Sequence, residues 1–321
     1  MTGNLDNEYR NLFLKMLLTA QNEKQFTVLL ITHDYSMISE ITSQYPELRK
    51  KIVFQELQRK KDGLEQISFS PEFYLNWLES VKPEKNPEHF KQPILSLHHS
   101  IKVFDRHLTI TSDPKHITPS PLEIYSGDAV YLKAASGAGK TTVAKIMMGL
   151  QAATHFQFKI GDLGLTQKSS SNIWKKKIWA KNMSMVFQHA DEALNLNGKV
   201  KDIFRGLPLA KPSNRDFLTA NLTKIFDDNL DNSFLERPVA YLSGGQKQRL
   251  NLIRALILDT DILILDEPFN GLDFITMRKV LAMLQKRQKE GKSFLIISHN
   301  EEIIDRVVPA DRIYYLKWQR L

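Results

Sequence analysis

The 321-residue chain contains no cysteine. Disulfides, thiolate metal sites and cysteine nucleophiles are therefore excluded, and the composition is compatible with a reducing compartment. It also lacks any run of about 20 apolar residues, so no segment reads as a membrane-spanning helix. Its first ten residues, Met1–Arg10, are polar and slightly acidic and do not read as a secretory signal. Aromatic residues are missing from its basic stretches. The formal net charge is +8, yet Arg49–Lys51, Arg59–Lys61 and Lys175–Lys177 are short and separate. Lysines on a solvated surface account for this balance, since a nucleic-acid groove would interleave basic and aromatic side chains.

What is present is an alternation of apolar runs and helical patterns, the mark of an α/β fold. Strands are expected at Ala129–Lys133, Met183–Phe187, Ile262–Leu265, Phe294–Ile297 and Ile313–Leu316. Helices are expected at Thr141–Leu150, Gly245–Ile257 and Thr276–Glu290. Pro83, Pro87 and Pro93 fall in a charged stretch that reads as part of a linker over residues 61–93.

The segment Ala134, Ala135, Ser136, Gly137, Ala138, Gly139, Lys140, Thr141, Thr142 follows an apolar strand and opens a helix, the context of a phosphate-binding loop. Gly137 and Gly139 allow the backbone to curl so that successive N–H groups face one concavity. The helix N-terminus adds its positive end. Lys140 is expected to reach the β- and γ-phosphates and Thr141 to ligate Mg²⁺, a hard cation that prefers oxygen ligands. Ala134 stands where the usual pattern has its first glycine, which is workable only at negative φ.

Ile262–Leu265 runs directly into Asp266 and Glu267. An all-apolar strand is buried on both faces, as in a parallel sheet, and ligands bind at the C-terminal ends of such strands. Asp266 is the expected Mg²⁺ holder and Glu267 the residue that polarises the attacking water. Gln188 and His299 each end another apolar strand at that same edge. They are expected to serve hydrolysis, with Gln188 also near the metal.

Ser243 can cap the helix that follows it, and Gly244 and Gly245 let backbone N–H groups approach a phosphate closely. Tyr241-Leu-Ser243-Gly244-Gly245-Gln246 closely resembles the LSGGQ signature of the ABC ATPase family. With the phosphate loop, the acid pair, Gly271-Leu272-Asp273 and His299, the resemblance covers roughly three fifths of the chain. It implies a P-loop ATPase fold of ABC type in residues 94–321, with a helical signature subdomain at 191–240. It also implies two nucleotide-binding domains meeting head to tail, in which Ser243 to Gln246 of one close on ATP held by the other. Asp273 would communicate across that interface, and Phe104 lies where the family stacks adenine. Phe187–Asn195 is similar to a stretch of the peptide and nickel importer subfamily, although His189, Ala190 and Leu196 depart from it. The function implied is an ATP-hydrolysing subunit of a bacterial ABC importer for peptides or metal chelates, at the cytoplasmic membrane face. Its partners would be a second ATPase domain, permease subunits and, indirectly, a solute-binding protein, with no nucleic acid. The alternatives are a soluble ABC-type ATPase acting on nucleic acid or ribosomes and a degenerate tandem protein.

The chain also repeats itself. Val28–Asp34 matches Phe294–Asn300, Leu5-Asp6 matches Leu272-Asp273, and Ile52–Leu57 echoes Ile313–Trp318, all in the same order. Residues 1–60 thus resemble the last part of a second ABC domain, running from a D-loop to a switch at His33, beginning after its carboxylate strand. Three readings of this partial α/β appendage stand together: the tail of a first ABC domain completed by another chain, a relic of a tandem protein, and a docking module.

Overall fold

The computed structural model describes residues 7–60, 63–84, 92–115, 117–205, 207, 222, 226 and 232–320. These fall into two compact units. One comprises the chain up to Pro83 together with His299–Val307; the other comprises Glu84–Ser298 and Val308–Leu321.

The first unit contains helices α1 (Asn7–Lys24) and α2 (Ser36–Gln44), a hairpin of β1 (Gln55–Lys60) and β2 (Gly63–Ser68), and helix α3 (Pro71–Ser80). Its core is small. Leu14, Met37 and Ile41 form it, with Leu18, Ile52 and Phe54 packed alongside. The buried Arg10 joins α1 to the start of α2 through Ser36 and Asp34. Tyr74 of α3 is buried and donates its hydroxyl to Glu302 of the helix Glu301–Val307 at 2.8 Å.

Two expectations are corrected here. Residues 61–93 are not a linker throughout, because β2 and α3 occupy most of 63–80; Pro83 and Pro93 lie in irregular chain, and 61–62 and 85–91, with Pro87, lie outside the described residues. Val28–Ile31 forms no strand. A strand exists only with a hydrogen-bonding neighbour, and no strand among the described residues pairs with it. The echo at Ile52–Leu57 becomes a strand only from Gln55, where β2 pairs with it. Leu5 and Asp6 lie outside the described residues.

The second unit is built on two sheets. The smaller is antiparallel, in the order β6 (Leu122–Ile124), β3 (Leu95–Leu97), β8 (Gln157–Ile160), β9 (Leu163–Thr166). The larger has seven strands: β10 (Met183–Val186), β11 (Ile262–Asp266), β12 (Ser293–Ile297), β7 (Ala129–Lys133), β13 (Ile313–Arg320), β5 (Arg106–Thr111) and β4 (Ser100–Val103), in that spatial order. The first five are parallel; β5 and β4 add on antiparallel. β10, β11 and β12 are buried at every position, as doubly covered parallel strands must be. One core unites both sheets with α4 (Lys140–Met147), through Leu97, Phe158, Val130, Val143, Ile146 and Ile264. Helices α5 (Gly244–Leu256) and α6 (Phe274–Lys289) complete the framework. In the expected helical subdomain, the described residues hold short helical turns at Val200–Phe204, Asn232–Glu236 and Val239–Tyr241, and most of 206–231 lies outside them. Beneath β7, Arg312 is buried and forms an ion pair with the buried Asp128, reaching it also through Nε at 3.2 Å.

Candidate active site

Strand register brings the chemical groups to one edge. Val186 pairs with Leu265, Asp266 with Ile297, and Ile296 with Tyr131. Gln188, the Asp266–Glu267 pair and the loop opened by Ala134 therefore all leave from the C-terminal ends of parallel strands, where open α/β sheets bind ligands. His299 follows two residues after the end of β12.

The loop between β7 and α4 has the backbone a phosphate cradle needs. Gly137 has φ +72° and Gly139 φ +104°, both in the region that disfavours a Cβ. Ala134 is not among the positive-φ residues, so the condition on its departure from the usual pattern is met. Lys140 is buried, and its Nζ donates to the carbonyl oxygens of Ala134 at 2.6 Å and Ala135 at 3.2 Å. The loop is already wrapped around the amine that would meet a phosphate. Ala135, Ser136 and Gly137 are exposed, Ala138 is buried, and Thr141 and Thr142 are half-buried. Arg106 braces the loop by donating Nη1 to the Gly137 carbonyl at 2.8 Å, with its guanidinium 4.6 Å from the Trp318 ring centre. No motif in the sequence marks Arg106; it arrives by sheet pairing.

Asp266 is fully buried, and neither carboxylate oxygen has a hydrogen-bond partner of good geometry. Burial pushes its carboxyl above the usual carboxylate range. The Thr141 hydroxyl, Lys145 and Lys140 pull it back down, the hydroxyl lying close without the geometry of a formed bond. Glu267 is held in a left-handed conformation, φ +50°, uncommon for a residue with a side chain. Its N–H donates to the Ile297 carbonyl at 2.8 Å. Its own carbonyl accepts from Gln248 Nε2 at 3.3 Å, and its Oε2 accepts from Ser298 Oγ at 3.2 Å. Such strain persists only where neighbours over-determine it, and it concentrates at functional positions. Gln248 and Ser298 were given no role from the sequence, although Gln248 lies two residues after Gln246 and Ser298 directly precedes His299.

The signature segment is tied to the same place. Ser243 caps α5, accepting from the Gln246 N–H at 3.2 Å while Gln246 Oε1 accepts from the Ser243 N–H at 3.0 Å. Gly244 is exposed with open space where a Cβ would stand. Gly245 differs: a Cβ there would lie 2.7 Å from the Gly271 carbonyl oxygen. Its missing side chain therefore serves contact with the Gly271–Asp273 segment rather than an approach to phosphate alone. Asp273 caps α6 through the Thr276 N–H at 2.8 Å and lies 3.5 Å from Arg249 of α5. Gln188 is half-buried. The residues just after it are held from two sides, Glu192 by Lys145 at 2.7 Å and Asp191 by Lys247 at 3.0 Å. Phe104 is 67% exposed at φ +52°, in the turn joining β4 and β5, and so is no core residue.

A glycine loop around a buried lysine, a carboxylate pair at the adjoining strand ends and a capped Ser-Gly-Gly helix define a P-loop ATPase of the ABC type. The family profile described as ABC transporter matches residues 117–270. A putative ABC transporter ATP-binding protein of Listeria monocytogenes serotype 4b (strain F2365) is 31% identical over 208 residues, covering 63% of this chain and 72% of that protein. The nickel import ATP-binding protein NikE of Escherichia coli (strain K12) is 32% identical over 190 residues, covering 58% and 69%. The dimeric structure of MJ0796, a bacterial ABC transporter cassette, shares the fold at TM-score 0.52 and 22% identity, covering 71% of this chain and 98% of that one. The chain belongs to the family of ABC transporter ATP-binding proteins, and it is an ATPase subunit of that kind.

Proposed function

We propose that this chain powers a bacterial ABC importer for peptides or metal chelates such as nickel, from the cytoplasmic face of the membrane. Two lines support that reading: the likeness of Phe187–Asn195 to the peptide and nickel importer stretch, and relatives named as nickel import ATP-binding proteins. Among the described residues no helix is long and apolar enough to cross a membrane, and in this reading permease partners supply the spanning path. The exposed Ser243 and Gly244 are available to close on ATP bound by a second ATPase domain. Phe104 is available to stack on the adenine of this domain's own ATP.

The observation that carries the chemistry is the buried Asp266 carboxylate without a partner. A buried charge needs compensation, and two oxygen donors, Asp266 and the Thr141 hydroxyl, suit a hard divalent cation. We assign them to Mg²⁺, with Gln188 as a third donor. Mg²⁺ bound there would neutralise charge on the β- and γ-phosphates. Lys140 leaves the two loop carbonyls and takes the terminal phosphates. Glu267, fixed in orientation by Ile297, Gln248 and Ser298, orients the attacking water, and His299 and Gln188 contact the γ-phosphate side. The test is steady-state MgATP hydrolysis by the wild type and Glu267→Gln. Turnover should fall about 10²–10⁴-fold while ATP stays bound, the range for losing a positioned base. Equal turnover in the two proteins would remove Glu267 from the mechanism.

A further inference from the structure

Strand β5 lies against the phosphate loop at two points. Side chains alternate along a strand, so Arg106 and Leu108 share a face. Leu108 is buried, and a Cβ on Gly139 would stand 3.4 Å from its Cδ1. Arg106 reaches Gly137, donating Nη1 to its carbonyl at 2.8 Å. The guanidinium is held in turn by the next strand. β13 pairs Trp318 with Leu108 and sets the indole ring 4.6 Å from Arg106. β5 also starts directly after a tight turn: Val103 pairs with Arg106, leaving Phe104 and Asp105 as the two turn residues. The hairpin that presents Phe104 therefore grips the phosphate loop two residues later.

What it grips is one peptide plane, Gly137–Ala138. In a trans peptide the carbonyl and the N–H point in opposite directions. Here the carbonyl accepts from Arg106, while the Ala138 N–H donates to the Ala135 carbonyl at 3.2 Å. That same Ala135 oxygen accepts from Lys140 Nζ. The Ala138 N–H thus faces the place of the lysine amine, where the phosphates are expected. Open space surrounds the position a Gly137 Cβ would take, and glycine allows the plane to rotate. Rotation would turn a carbonyl oxygen towards the phosphates and the N–H away from them.

We propose that Arg106 is a positioning residue for nucleotide binding. It locks the Gly137–Ala138 peptide with its N–H towards the phosphates, and Trp318 locks Arg106. The inference rests on the assignment of Ala134–Thr142 to the phosphates. Arg106 meets the loop backbone and not the carboxylate assigned to the attacking water. Affinity should therefore change while turnover at saturation does not.

The test compares full-chain variants by calorimetric binding of MgADP, which is not turned over, and by KM and kcat for MgATP. Arg106→Met should weaken MgADP binding and raise KM about tenfold, the effect of losing a charge-assisted hydrogen bond. Its kcat should stay within about twofold of the wild type. Trp318→Leu keeps the positive charge but removes the ring, and should weaken binding about threefold. The double variant should bind no more weakly than Arg106→Met alone, because ring and guanidinium act as one unit. Wild-type binding by Arg106→Met overturns the proposal, as does a fall in kcat with unchanged affinity. Wild-type binding by Trp318→Leu, or losses that multiply in the double variant, overturns it too, since Arg106 would then act by charge and not by position. If Arg106→Met does not fold, the binding of Trp318→Leu decides alone. Lys140→Ala tests the underlying assignment. MgADP binding undiminished there removes the loop from phosphate binding, and this proposal with it. Binding lost in Lys140→Ala but kept in Arg106→Met defeats the present inference alone.

Discussion

Asp266→Asn should stabilise this protein when nucleotide and metal are withheld, while destroying its use of MgATP. The wild-type carboxylate is fully buried, with both oxygens lacking a hydrogen-bond partner of good geometry. Leaving a buried polar group unsatisfied costs about 1–3 kcal/mol, and more for a charge. The isosteric amide removes the charge but brings N–H donors that are also poorly served, so a net gain of about 1–2 kcal/mol is expected. For a domain of this size that is a rise of about 2–8 °C in unfolding temperature. The sign with pH follows from the raised native pKa. Below the ordinary carboxylate value near 4, both native and unfolded carboxyls are protonated and the two proteins should match. As pH rises, the unfolded state loses its proton first, native stability falls, and the advantage of the variant grows until the native carboxyl has also ionised. Thermal unfolding in a chelator at pH 4 and pH 7.5 measures this. Adding MgATP should reverse the order, because only the wild type gains binding energy from the metal. A variant that melts below the wild type in chelator at pH 7.5 would refute the claim that Asp266 is held at a cost for a ligand.

Other substitutions probe separate parts of the site. Gly245→Ala puts a Cβ 2.7 Å from the Gly271 carbonyl and should cost about 1–3 kcal/mol in thermal unfolding, whereas Gly244→Ala, facing open space, should stay within about 0.5 kcal/mol. Ala134→Gly should leave ATP turnover within about twofold and lower stability by up to about 1 kcal/mol, since alanine already fits the negative φ there and glycine adds unfolded-state entropy. Arg312→Met strands the buried Asp128 charge and should cost about 3–5 kcal/mol, read by denaturant unfolding; replacing both residues with apolar ones should recover much of it.

The motifs were legible because their information is local. Gly137 and Gly139 permit a backbone that other residues resist, apolar runs mark doubly covered strands, and Ser243 with Gln246 forms a cap within four residues. The central strands accordingly fall within a residue or two of expectation, apart from β13, which runs on to Arg320. The antiparallel sheet of β6, β3, β8 and β9 was not legible, since three- and four-residue strands carry too short a pattern. Nor was the structure within 61–93, where prolines and charges mask β2 and α3.

By itself the sequence determined the class of chemistry: a loop of the phosphate-binding type, a strand ending in paired carboxylates, and the α/β order that delivers them. Tertiary structure alone decided the rest, since it depends on what each group meets in space. It leaves Asp266 buried without a partner, twists Glu267 to a positive φ between three anchors, and fills the space beside Gly245 with the Gly271 carbonyl. It also separates two nearly identical apolar runs. Phe294–Ile297 is a strand because β11 and β7 flank it, and Val28–Ile31 is not because nothing among the described residues does.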